Sequence, residues 1–153
     1  MKKIIALSLI TVALALNAQA HCQIPCGIYD DAARIKEMEE HVTTIEKSMK
    51  EIVKLTADTP QNFNQRVRWV NNKEQHADKL TEIVTAHFLT QRIKPTEPEE
   101  KYEAELKTLH GMMIASMKAK QTIDLKQVEA LRKLIHQFEN LYFGKTTAAP
   151  HTH

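Results

Sequence analysis

The sequence predicts an all-α fold: an antiparallel four-helix bundle with an N-terminal metal-binding hook. Three observations carry the helical part. Apolar residues recur in steps of three and four along four separate stretches, the spacing of a helix face. No stretch alternates with period two, and there is no internal repeat. Only 3 Gly and 5 Pro occur in 153 residues, too few for the tight turns of a β-sandwich or barrel. With 42% apolar and 26% charged residues, the chain has the composition of one folded domain, which argues against wholesale disorder.

Residues 1–20 read as a cleaved secretory signal peptide. Lys2 and Lys3 form a positive start, Ile4–Leu16 is apolar apart from Ser8 and Thr11, and Ala18-Gln19-Ala20 is a small-x-small cleavage site. The apolar run is short for a bilayer, which wants about 20 residues. Lipoprotein processing at Cys22 is disfavoured because His21 stands where a small residue is expected. The expected location is therefore outside the cytoplasm, periplasmic or extracellular, with no membrane association after cleavage. Net charge is +2, and Lys2 and Lys3 supply it; the remaining chain balances 19 basic against 19 acidic residues. A neutral mature chain without a basic cluster argues against nucleic-acid binding.

Cleavage after Ala20 leaves His21 with a free α-amine. The mature chain then opens His21-Cys22-Gln23-Ile24-Pro25-Cys26-Gly27-Ile28-Tyr29, and both cysteines of the protein lie in it. This segment, residues 21–29, is dense in metal donors. The His21 amine, the Cys22 amide nitrogen and the thiolates of Cys22 and Cys26 can share one plane. Amine and Cys22 donors are contiguous in the chain, so they close small fused chelate rings at little entropic cost. Pro25 stiffens the turn toward Cys26, and Gly27 lets the chain leave it. The His21 imidazole is a possible axial ligand. Such a tetragonal set suits Ni(II) or Cu(II) better than tetrahedral zinc. Electron-rich amide and thiolate donors would also stabilise Ni(III) and favour one-electron chemistry. Two cysteines in an oxidising compartment equally suit a Cys22–Cys26 disulfide. From the residues alone, the segment is a redox metal hook or a disulfide-closed end.

The bundle is expected over residues 30–144. Asp30 and Asp31 are candidate N-caps for a first helix whose stripe is Ile35, Met38, Val42, Ile45, Met49 and Ile52. Asp58-Thr59-Pro60 breaks it, and Pro60 suits the first turn of the next helix. That helix is expected from about Gln61 to Arg92, with Val67, Val70, Ala77, Leu80, Val84 and Phe88 facing inward. Lys94-Pro95-Thr96-Glu97-Pro98 is a connection. The third helix presents Tyr102, Leu106, Leu109, Met113 and Met117. Asp124 with Gln127 has the form of a capping box for the fourth, which carries Leu125, Val128, Leu131, Ile135, Phe138 and Leu141 and stops at Gly144. Residues 145–153, with His151 and His153, read as a solvated flexible tail. His87, His110 and His136 read as packing or surface residues.

His-Cys-x-x-Pro-Cys-Gly-x-Tyr directly after a processing site resembles the nickel hook of nickel superoxide dismutases. The likeness continues through Tyr29-Asp30, Ala33-Arg34-Ile35, Lys73-Glu74-Gln75, Lys94-Pro95 and Glu100-Lys101-Tyr102, covering roughly Ile24 to Phe143 besides the hook. The resemblance implies a four-helix bundle assembled as a homohexamer, with one nickel ion per chain. It implies dismutation of superoxide to oxygen and hydrogen peroxide by Ni(II)/Ni(III) cycling. His21, Cys22 and Cys26 take the ligand positions, His21 through its amine and axial imidazole. Tyr29 matches the family tyrosine near the open axial face. The alternative is a non-enzymatic nickel- or copper-binding helical bundle.

Some positions depart from the family pattern. Gln23 stands where aspartate is frequent. The family holds the axial imidazole with a glutamate on helix one and an arginine on helix two. Aligning helix one requires a one-residue deletion before Arg34, which puts Lys36 at the glutamate position with Glu37 beside it. His76 falls at the arginine position. Glu37 and His76, with His41 nearby, are the substitutes expected to support the ligands.

Overall fold

The computed structural model describes residues 30–95 and 98–144. Asp30, the first described residue, is an N-cap: its carboxylate accepts the Ala32 N–H at 2.9 Å. Helix α1 then runs Asp31–Lys54. Its stripe is buried as expected at Ile35, Met38, Val42, Ile45 and Met49, while Ile52 is half-buried.

Thr59 caps α2, accepting the Asn62 N–H at 3.1 Å, and Pro60 occupies the first helical position. α2 is α-helical over Pro60–Glu82 and continues as a π-helix over Ile83–Arg92. Ten residues of i→i+5 geometry are unusual, since π-helices mostly occur as single-turn bulges. Side chains support the wider turn. Thr81 and Thr85 donate to carbonyls four residues back, Thr90 donates to Thr85 O at 2.7 Å, and Gln91 donates to Ala86 O at 2.9 Å. Such back-bonding competes with the α ladder and bends it. Ile93 N–H closes the segment on Phe88 O at 3.0 Å.

α3 spans Glu99–Gln121, with Glu99 and Glu100 at its positive end and Lys118 and Lys120 at its negative end. α4 spans Lys126–Phe143 and ends at Gly144, which adopts the left-handed conformation (φ 64°) that glycine takes without strain. The four helices alternate in direction and pack in a ring, α1 against α2, α2 against α3, α3 against α4, and α4 back on α1. No strand occurs among the described residues, and no helix there is long and apolar enough to cross a membrane. Burying the apolar stripes drives this arrangement. Phe88, Leu80, Leu109, Met112, Leu131 and Phe138 are wholly excluded from solvent at its centre. Phe88 and Phe138 meet edge-to-face at 4.8 Å, with Tyr142 on both.

Three sequence expectations are corrected. Val67 is 43% exposed, on a shallow outer patch with Phe63. The buried face of α3 is Glu105, Thr108, Leu109, Met112, Ala115, Ser116 and Ala119, so Leu109 is inside while Met117 is 50% exposed. Small residues let α3 approach its neighbours closely: a Cβ on Gly111 would lie 3.2 Å from Leu134. Met117 and Ile114 instead line an open groove of about 720 Å³ against α2. Finally, Asp124 accepts from Lys126 N–H at 3.0 Å rather than from Gln127, whose N–H bonds the Asp124 carbonyl at 3.1 Å; the reciprocal capping box does not form.

Candidate metal centre

The proposed ligands His21, Cys22 and Cys26, and Tyr29 with them, lie outside the described residues. The structure does describe the helix end from which that segment departs, and the side chains expected to support it. Among the described residues, no group of three or more His, Cys, Asp or Glu side chains could hold a metal ion.

Glu37, His41 and His76 are brought together. Glu37 and His41 lie one turn apart on α1, with His41 Nε2 4.0 Å from Glu37 Oε1. His76 reaches across from α2 and places its Nδ1 3.1 Å from His41 Nδ1, the rings meeting edge-on. One nitrogen must donate and the other accept, so the two rings cannot both carry a proton there without losing the bond. Arg34 holds the other Glu37 oxygen at 2.5 Å. Burial lowers the His41 pKa below the ordinary imidazole value, against the pull of Glu37. Burial, followed by His41 and Lys79, lowers that of His76. His41 thus stands between the two expected substitutes, bonding His76 and lying 4.0 Å from Glu37.

A second polar cluster, which the sequence reading missed, fastens the start of α1. Asp31 Oδ1 accepts from His87 Nε2 at 2.8 Å and from Arg92 Nε at 2.8 Å. Its Oδ2 accepts from Tyr142 O–H at 2.8 Å. Burial alone would raise the Asp31 pKa, but the His87 and Tyr142 hydrogen bonds and the Arg92 charge outweigh it and hold the carboxyl below its ordinary value. Burial, followed by the bond to Asp31, pushes the Tyr142 phenol up. His87, expected to be a packing or surface residue, is therefore a half-buried hydrogen-bonding group. Asp31 was legible only as a cap candidate. Its partners lie 56, 61 and 111 residues away, and no local pattern signals them.

The described residues form an all-α helical bundle, and both cysteines of the chain lie just ahead of it at positions 22 and 26. The family model for nickel-containing superoxide dismutase matches residues 16–146, and the chain belongs to that family. It is accordingly an oxidoreductase with a nickel cofactor and superoxide as substrate. No curated protein and no solved structure matches it. The amine, amide and thiolate groups that residues 21–26 would offer suit nickel chemically.

Proposed function

We propose that the nickel is held at the mature amino terminus, by the His21 amine and imidazole, the Cys22 amide nitrogen and thiolate, and the Cys26 thiolate. The metal supplies one-electron chemistry by cycling between Ni(II) and Ni(III). Two superoxide ions and two protons yield one oxygen and one hydrogen peroxide, so the site must admit a small anion and protons. Tyr29 orders substrate or water at the open face. The Glu37–His41–His76 cluster orients the His21 imidazole, in place of the family's glutamate and arginine. The protein acts after export, in the periplasm or outside the cell, as a homohexamer.

The observation that carries this reading is the HCxxPCGxY motif immediately after the small-x-small sequence Ala18-Gln19-Ala20, in a chain of this family. The test is the nickel content and superoxide turnover of the exported protein, with its first residue identified. About one nickel per chain beginning at His21, together with turnover, is the expected result. A metal-free protein with Cys22 and Cys26 joined would overturn it. Bound metal without turnover would point to a nickel- or copper-carrying bundle instead.

A further inference from the structure

In an α-helix, residues five apart point about 140° away from each other. His87 and Arg92 are five apart, yet both reach the same oxygen of Asp31. They do so because both lie in the π-helix Ile83–Arg92, whose i→i+5 ladder stacks residues five apart. The wide turn thus delivers two donors to one carboxylate at the first residue of α1. Tyr142, from the last turn of α4, takes the other oxygen. Bonds to an ionised acceptor are the strong ones, and these are partly shielded from water.

The position of this clasp matters. Asp31 follows Tyr29 by two residues and Cys26 by five. Five residues of chain reach at most ~18 Å, so slack at Asp31 passes along a short tether. We propose that Asp31 is a positioning residue for the nickel hook: by gathering His87, Arg92 and Tyr142 on one carboxylate, it fixes the end of α1 from which the hook departs. This rests on the reading that His21, Cys22 and Cys26 hold the metal. Asp31 itself touches neither metal nor substrate in this role.

The test uses nickel-loaded mature protein and two readouts, the rate of nickel release to excess EDTA and the line width of the EPR signal from the Ni(III) form. Asp31→Ala removes the clasp. Tyr142→Phe removes one bond and keeps the ring against Phe88 and Phe138. Glu39→Gln is the control, because it weakens another α1–α4 link, the Glu39–Arg132 pair at 2.9 Å, away from the clasp. Asp31→Ala should release nickel about tenfold faster or more and broaden the signal, as loss of a supporting residue typically does. Tyr142→Phe should fall between it and wild type, and Asp31→Glu should recover part of the loss. Glu39→Gln should match wild type. Wild-type release and spectra in both Asp31→Ala and Tyr142→Phe overturn the proposal, as does equal acceleration in Glu39→Gln. Should Asp31→Ala fail to fold, Tyr142→Phe decides alone. A wild-type protein that takes up no stoichiometric nickel overturns the hook reading, and the proposal with it.

Discussion

His41 and His76 bring their Nδ1 atoms to 3.1 Å across the α1–α2 contact, so the bond survives only while at least one ring is neutral there. Both pKa values are lowered in the folded protein. As pH falls through about 6.5, the unfolded chain takes up protons that the folded one resists, and stability drops. Above that value the contribution is fully present. We expect the melting temperature of the metal-free protein to fall between pH 7.5 and 5, and His76→Gln to flatten that dependence. An unchanged slope in the variant would assign the effect to other groups.

Lys73 is 3% exposed and donates to the Lys120 and Thr122 carbonyls at 2.6 and 2.9 Å, closing the end of α3. Burial lowers its pKa, opposed by the nearby Glu74 charge. Lys73→Met keeps the stem and removes the donor. It should cost about 2 kcal/mol by leaving helix-end carbonyls unsatisfied, measured by urea unfolding. A neutral result would mean that water replaces the ammonium.

Phe138 is fully buried between Phe88 and Tyr142. Phe138→Ala should cost about 3–5 kcal/mol, through lost burial and the cavity left behind. It should also loosen α4 near Tyr142. Thermal unfolding reads the first effect, and hydrogen exchange at residues 139–143 the second.

One residue added before His21 turns the proposed amine ligand into an amide and moves the free amine away. The extended protein should keep its helical circular dichroism and lose superoxide turnover. Cys22→Ser and Cys26→Ser should behave alike. Full activity in the extended protein would remove the amine from the ligand set.

The helices were legible because burying a stripe imposes its period on the sequence, and α1 follows that rule from Ile35 to Met49. The rule misleads on α3, where Met117 is large and outward while Ala115, Ser116 and Ala119 are small and inward. Size signals burial only where helices stand apart, and α3 packs closely enough to favour small side chains. The π-helix was also illegible, because its threonines and glutamine fit an α-helix as well. Of the site, the proposed donors at 21–26 are readable as a contiguous motif. The Asp31 clasp is not, because three helices must fold before its members meet.

That separation sets an order in time. Helical hairpins close over short stretches of chain, whereas Tyr142 reaches Asp31 across 111 residues. The donor-rich segment is made first, and its fastening last. A chain still being synthesised has the proposed ligands but lacks the final turn of α4. With Asp31 positioning the hook as proposed, firm metal capture would wait for completion of the polypeptide, and a product truncated before Tyr142 would retain every proposed nickel donor without the full clasp behind them.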